Sequence, residues 1–398
     1  MVWEAGDVWD RRELLKTGMC LAAATALGRY VFAAEGTGQA AGAERGEAGV
    51  REALWYEKLD DGRVKCGLCP KGCEVGPGGR GACGVRENRG GTYYTLVYGR
   101  ACAVHVDPIE KKPLFHYLPG TTAFSYATGG CNFRCKFCQN WDISQARPEE
   151  LQYRRLTPAE IVGACREGGI PTIASTYSEP TVSSEYTLET AKAGRAAEVG
   201  TVIISNGFMS RRAMVDLCGS LTAVKIDLKG FTEKFYREVC GGELKPVLDT
   251  LRTLKELKIH YEIVVLLIPT LNDSKEEVKE MCGWIVKELG PEVPVHFSRF
   301  QPMYRMTNLP PTPISTMESA YEVARGAGVK YCYLGNVGAH KWANTYCPKC
   351  ETMVIERYGN MVRRNSLAEG KCPKCALAIP GVWTQKQALA FKAEAVKN

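Results

Sequence analysis

From about residue 120 onward, short apolar, β-branched runs alternate with longer stretches whose apolar residues recur every three or four positions. The runs at 123–128, 172–177, 201–205, 223–228, 261–268, 293–297 and 330–334 read as strands. Between them the spacing predicts helices near 158–167, 183–198, 209–218, 231–239, 245–257, 274–289 and 315–327. Two of the helix starts carry capping signals: Thr157-Pro158-Ala159-Glu160, and Asn272-Asp273-Ser274 ahead of Glu276 and Glu277. Repeated β-then-α units predict an α/β fold with a parallel sheet and helical crossovers. Six or seven units suit a partial (β/α)6-type TIM barrel better than a complete eightfold one, with a doubly wound sheet as the structural alternative. Either arrangement gathers chemistry at the C-terminal ends of the strands.

This core is read over residues 119–338. It is flanked by cysteine-rich modules at 51–118 and 339–398, the second ending in a tail, and preceded by a leader and Gly/Ala/Glu-rich linker at 1–50. In the leader, Arg11 and Arg12 stand before an apolar stretch at 17–34, the layout of a twin-arginine export signal. That stretch carries Arg29 and is too short and weak for a membrane span, so no transmembrane segment is expected. The leader points to export or membrane association, whereas the metal chemistry argued below points to cytoplasmic assembly.

Composition adds one exclusion and one signal. The formal net charge of +7 is mild over 398 residues, and no Lys/Arg run is interleaved with stacking aromatics, so nucleic acid is not an expected partner. Cysteine is the signal. There are 18, most of them in three tight groups: Cys66/Cys69/Cys73/Cys83, Cys131/Cys135/Cys138 and Cys347/Cys350/Cys372/Cys375. A chain of this size needs no disulfide framework, and CxxC pairs have metal-ligand spacing. The scattered remainder (Cys20, Cys102, Cys165, Cys218, Cys240, Cys282 and Cys332) read as small buried hydrophobes.

The central group, Cys131-Asn132-Phe133-Arg134-Cys135-Lys136-Phe137-Cys138, follows the first predicted strand and so lies on a loop at the barrel mouth. Three cysteines on a compact loop can hold three irons of a [4Fe–4S] cluster, where a closed cluster takes four. The missing ligand leaves one iron open, as catalytic metal sites do. S-adenosylmethionine (SAM) can chelate that iron through its amino and carboxylate groups. An electron from the reduced cluster then cleaves the sulfonium, giving methionine and a 5′-deoxyadenosyl radical that abstracts hydrogen from a substrate. Phe137 can pack against the adenine.

Among the flanking groups, Cys347, Cys350, Cys372 and Cys375 form two knuckles about a hairpin at 352–362, a zinc-ribbon layout that closes a tetrahedral structural Zn2+ site. Cys66, Cys69, Cys73 and Cys83 are asymmetrically spaced; either zinc or an auxiliary Fe–S cluster fits them, with zinc slightly preferred.

Cx3CxxC with an aromatic before its last cysteine, after a first strand, is the hallmark of the radical SAM superfamily. The chain from about residue 60 to 383 resembles the radical SAM component of the AmmeMemoRadiSam group, relatives of pyruvate formate-lyase activating enzyme. The resemblance rests on Cys66-Gly-Leu-Cys69-Pro-Lys-Gly-Cys73 with Gly81-Ala-Cys83-Gly-Val-Arg86, and on Val106-Asp-Pro-Ile-Glu-Lys-Lys-Pro-Leu114 with Leu118-Pro-Gly120. It continues through Thr176-Tyr-Ser-Glu179-Pro180-Thr181, Ser205-Asn206-Gly207, Asp227-Leu-Lys229, His296-Phe-Ser-Arg299-Phe300, Gly335-Asn336 and Asn344-Thr-Tyr-Cys347-Pro-Lys-Cys350.

The resemblance implies SAM contacts at successive strand ends. Glu179 matches the superfamily's Gly-Gly-Glu element, which accepts from the SAM ammonium group. Ser205 and Asn206 would bond the ribose or carboxylate, Asp227 and Lys229 stand at the next strand end with the lysine pairing with the carboxylate, and His296 would contact the ribose. Each also has a plainer reading: a turn at Asn206-Gly207, a cap pair at Asp227/Lys229, a structural hydrogen bond for His296. His105 and His116 are read as structural or substrate-facing. A low-potential electron donor is implied, with Memo-like and AMMECR-type proteins as partners, or else a glycyl-radical enzyme as the substrate. An exported Fe–S electron-transfer protein is the rival from another class.

Overall fold

The computed structural model describes residues 49–338 and 341–391. The twin-arginine-like leader, most of the linker, Cys20 and the C-terminal tail lie outside the described residues.

The predicted alternation folds as one sheet. Its strands are β1 (Ala103–Pro108), β2 (Thr122–Ala127), β3 (Thr172–Ser175), β4 (Gly200–Ser205), β5 (Ala223–Asp227), β6 (His260–Leu267), β7 (Val295–Arg299) and β8 (Cys332–Gly335). The crossovers are built on α1 (Pro158–Glu167), α2 (Ser184–Ala196), α3 (Arg211–Cys218), α4 (Leu244–Glu256), α5 (Lys275–Trp284) and α6 (Ile314–Gly326). Neighbours in the sheet follow chain order from β8 back to β1, and β2 to β8 are parallel. A doubly wound sheet reverses strand order at a switch point. This one never does, so it wraps in a single sense. It is a partial barrel, ended by β1 and β8 rather than closed.

Local chemistry sets the helix starts. The Thr157 hydroxyl accepts from the Glu160 amide at 3.2 Å, while the Glu160 carboxylate accepts from the Thr157 amide at 2.6 Å. The Ser274 hydroxyl caps α5 by accepting from the Glu277 amide at 3.2 Å.

Strand β1 comes from the segment assigned above to the N-terminal module. It pairs antiparallel with β2, Ala103 opposite Ala127 and Pro108 opposite Thr122. Flanked by one neighbour and only partly buried, it lacks the continuous apolar run that marks the parallel strands. The sheet therefore begins before residue 119.

A second difference concerns His296. It is the second residue of β7, not the last, because Pro294 cannot donate to the ladder and the strand starts at Val295. Inside the barrel its Nε2 meets the Glu262 carboxylate at 2.6 Å. Glu262 also accepts from the amides of Phe115 at 3.0 Å and His116 at 2.7 Å, and meets His260 Nε2 at 3.2 Å. Burial opposes its charge, but His260 and His296 hold it well below the usual carboxylate range. His296 thus helps stitch the lead-in segment to the sheet.

The C-terminal module contributes the predicted hairpin, β9 (Met353–Tyr358) and β10 (Met361–Asn365). It is fastened to the barrel by buried polar groups. Arg357 of β9 donates to the Phe115 carbonyl at 2.8 Å and to the Thr345 hydroxyl at 2.9 Å, and faces Glu110 at 3.6 Å. His116 Nδ1–H donates to the Pro380 carbonyl at 2.6 Å, so its Nε2 accepts from the Tyr333 hydroxyl at 2.5 Å.

That arrangement suits a neutral ring, and burial lowers the His116 pKa from 6.5 to about 4. As pH falls through this window the unfolded state takes up the proton first, so the stability the site contributes above pH 6.5 is lost on the way to about pH 4. At about 1.4 kcal/mol per pH unit the loss reaches about 3 kcal/mol. Urea unfolding at stepped pH is expected to show this slope, and His116→Phe to flatten it.

Candidate functional site

The cysteine loop leaves β2 through Gly129 and Gly130. Gly130 has φ +93°, and a Cβ there would lie 2.5 Å from the Val85 side chain and 3.1 Å from the Cys83 carbonyl. Only glycine lets the loop and the N-terminal module approach so closely. The loop then docks on a widened helical turn, Tyr236–Cys240: the Arg134 amide donates to the Cys240 carbonyl at 2.8 Å, and the Lys136 amide to that of Val239 at 3.0 Å. Turns of this kind recur at functional sites. Cys135 is buried and Cys131 and Cys138 are half-buried.

No three ligand atoms drawn from this triplet and its described neighbours come within 4.8 Å of one another, as a single ion would need; the four C-terminal cysteines do. A cubane cluster binds one iron per thiolate and so requires the wider spread. Three thiols on one loop can hold three irons of such a cluster and leave the fourth iron open. Cys240 is buried in the apolar core, as the sequence reading has it, and it also lies against the loop. Its thiol, together with burial, pushes the Cys135 thiol well above its ordinary range.

The strand ends meet this loop through one hydrogen-bonded chain. Glu179, beyond β3, is buried, and its Oε1 accepts from the Thr181 amide at 2.9 Å, the Thr181 hydroxyl at 2.7 Å and the Ser205 hydroxyl at 2.7 Å. Its Oε2 accepts from the Asn206 amide at 2.8 Å. Burial raises its pKa, with these bonds in opposition. Asn206 Nδ2 donates to Asn132 Oδ1 at 2.8 Å and lies 3.9 Å from the Cys131 sulfur. Asn132 Nδ2 in turn donates to the Phe208 carbonyl at 2.7 Å. Glu179, Ser205, Asn206 and the cysteine loop are thus one unit.

At the end of β5, Asp227 is clamped by two lysines, Lys225 and, at 3.3 Å, Lys229. Burial works against the carboxylate's charge, yet the lysines hold it below its ordinary value. Burial likewise opposes the Lys229 charge, and Asp227 keeps it firmly protonated. The Lys229 ammonium stands 5.7 Å from the centre of the Phe137 ring, which is buried and stacked on Phe235. With two lysines to one aspartate, this side of the site is positive.

His105 and His116 divide. His116 is the structural group described above, and His105 is exposed, edge-on to Tyr177 at 5.7 Å between ring centres.

Three groups escaped the sequence reading of site residues. Asn132, inside the cysteine motif, was legible there. Lys225 lies mid-strand, where the pattern gives an apolar run. Lys112 reaches Asp107 at 2.5 Å, and the Tyr177 hydroxyl donates to the same carboxylate. Tyr177, at φ 66°, is a rare left-handed residue at a strand end, and Asn140 Nδ2 secures its carbonyl at 2.8 Å.

In the C-terminal module the sulfurs of Cys347 and Cys375 stand 3.5 Å apart and those of Cys350 and Cys372 3.6 Å, with all four within 4.8 Å. Metal–sulfur bonds of about 2.3 Å put tetrahedral edges at about 3.8 Å, so this group fits one metal ion. No helix among the described residues is long and apolar enough to cross a membrane.

The family model of the radical SAM superfamily matches residues 125–285. An uncharacterized protein of Methanocaldococcus jannaschii, MJ0808, is 46% identical over 309 residues, which cover 78% of this chain and 92% of that protein. Pyruvate formate-lyase-activating enzyme of Clostridium pasteurianum is 23% identical over 166 residues, 40% of this chain and 67% of that protein. Among solved structures, a radical SAM methyltransferase from Sphaerobacter thermophilus aligns with TM-score 0.43 and 14% identity over 72% of this chain and 76% of its own. The chain therefore belongs to the radical SAM superfamily, as an enzyme related to pyruvate formate-lyase-activating enzyme.

Proposed function

We propose that Cys131, Cys135 and Cys138 hold a [4Fe–4S] cluster at which SAM is reductively cleaved, and that the product radical abstracts hydrogen from a substrate beside the barrel mouth. The observation that carries this is the chain of contacts from Cys131 through Asn206 to Glu179, which sets a buried carboxylate beside a three-thiol loop. When bound, the cluster and SAM supply the electron and the carbon-centred radical. The protein binds and orients. Glu179 Oε2 carries a single bond from the chain and keeps a lone pair for an ammonium donor. Lys229 offers a positive group to a carboxylate, and Phe137 an apolar wall. An electron carrier has no use for these strand-end groups, which weighs against that rival.

Radical SAM enzymes need an electron donor, and a low-potential one-electron protein fits that need. For the substrate, the motif resemblance favours an AmmeMemoRadiSam-type reaction alongside Memo-like and AMMECR-type proteins. The likeness to the Clostridium pasteurianum enzyme supports a second reading, activation of a glycyl-radical enzyme. We assign Zn2+ to the C-terminal cysteines, where it would staple a module too small to fold on its core alone.

The proposal is tested by electron paramagnetic resonance of the anaerobically reduced protein with and without SAM. A SAM-dependent change in the cluster signal is expected, and Lys229→Met should raise the SAM concentration required by about tenfold or more, corresponding to about 1.4 kcal/mol. A signal indifferent to saturating SAM would contradict the proposal.

A further inference from the structure

We propose that Cys66, Cys69, Cys73 and Cys83 hold a second [4Fe–4S] cluster and not zinc. The chain carries its own standard for a one-ion site. The C-terminal sulfurs already lie at tetrahedral spacing, all within 4.8 Å, whereas no three of the N-terminal sulfurs lie mutually that close. Instead the four N-terminal cysteines line a common space. A cubane spaces its thiolates more widely than the edges of a one-ion tetrahedron, because each thiolate binds a different iron.

The walls carry a second, independent sign. Arg86 and Tyr93 are fully buried and border the same space. One Arg86 nitrogen, Nη2, donates to Glu185, but its Nε and Nη1 and the Tyr93 hydroxyl have no hydrogen-bond partner. Orphaned buried donors cost about 1–3 kcal/mol each, more when charged. The bridging sulfides and thiolates of an anionic cluster supply acceptors for all three, and the guanidinium offsets the cluster's negative charge.

Position gives this cluster its use. Asn132, next in sequence to Cys131, also lines the space. Arg134 bridges the two cysteine loops, donating to the Ala82 carbonyl at 2.6 Å and to the Cys131 carbonyl at 2.7 Å. A low-potential iron–sulfur or flavin donor would give one electron to the second cluster, taking its core from 2+ to 1+. Returning to 2+, that cluster would reduce the SAM-side cluster by the same single electron.

The test uses the full chain with Cys131, Cys135 and Cys138 all changed to Ala, reconstituted anaerobically with iron and sulfide. The expected result is about four irons and four sulfides per chain, a dithionite-reducible paramagnetic signal, and zinc confined to the C-terminal site. Adding Cys66→Ala and Cys69→Ala should abolish the iron while leaving that zinc. Iron-free protein, with or without extra zinc, overturns the proposal, as does iron that survives the added substitutions. Should the five-site variant fail to fold, the iron-57 Mössbauer spectrum of the triple variant decides: a cubane doublet supports the assignment, and any other iron signature overturns it.

Discussion

Cys135→Ala is expected to reduce SAM cleavage to the level of a protein-free control and to cost the chain about four irons and four sulfides. Cys135 is the buried member of the triplet, and no spare thiol on the loop replaces it. Cys240 lies nearby, but it belongs to a different segment, whose carbonyl is engaged by the Arg134 amide at 2.8 Å. That backbone anchor survives the substitution, as do the Lys136 amide's bond at 3.0 Å and the packing of Phe133 on Phe208. The fold should therefore persist, and circular dichroism unchanged beside lost iron would separate a chemical defect from a folding one. A variant that kept both its iron and its activity would remove Cys135 from the ligand set.

Glu179→Ala should act on stability and cofactor binding together. The carboxylate satisfies four donors, the Thr181 amide and hydroxyl, the Ser205 hydroxyl and the Asn206 amide, at 2.7 to 2.9 Å. Removing it orphans buried groups at about 1–3 kcal/mol each, so a loss of several kcal/mol is expected in denaturant unfolding. The same change releases Asn206 from its place beside Cys131. SAM affinity should fall by about a hundredfold or more, at about 1.4 kcal/mol per tenfold. Thr181→Ala supplies the control: it removes one bond to the same carboxylate and should lower stability modestly with SAM binding nearly intact. Equal loss of SAM binding in both variants would reduce Glu179 to a scaffold role.

The barrel was legible because parallel strands buried on both faces read as plain apolar runs, and α1 and α5 announce their starts with capping residues. The errors have physical causes too. Strand β1 is an edge strand whose residues are largely half-exposed, so its alternation is weak. Strand β7 starts late because Pro294 interrupts an otherwise apolar run. The helix read over 231–239 is a short turn, Glu233–Phe235, widened over Tyr236–Cys240 where it receives the cysteine loop. At the site, spacing alone singled out the cysteines. It could not show that Glu179 already holds two strand ends, that Lys225 shares Asp227 with Lys229, or that His296 belongs to the Glu262 network. The Glu179 and His296 pairings are long-range, made only once the sheet brings its strands into register, whereas Lys225 lies two residues from Asp227 but sits in a run that otherwise reads as apolar.

The central claim is the reductive cleavage of SAM at the three-cysteine loop. Its most direct measurement is chromatographic quantification of 5′-deoxyadenosine and methionine from anaerobically reconstituted, dithionite-reduced protein supplied with SAM, with Cys131→Ala alongside. Equimolar products from the wild type, absent from the variant, are the predicted result. A reducible cluster that leaves SAM intact, or equal product from the variant, would contradict it.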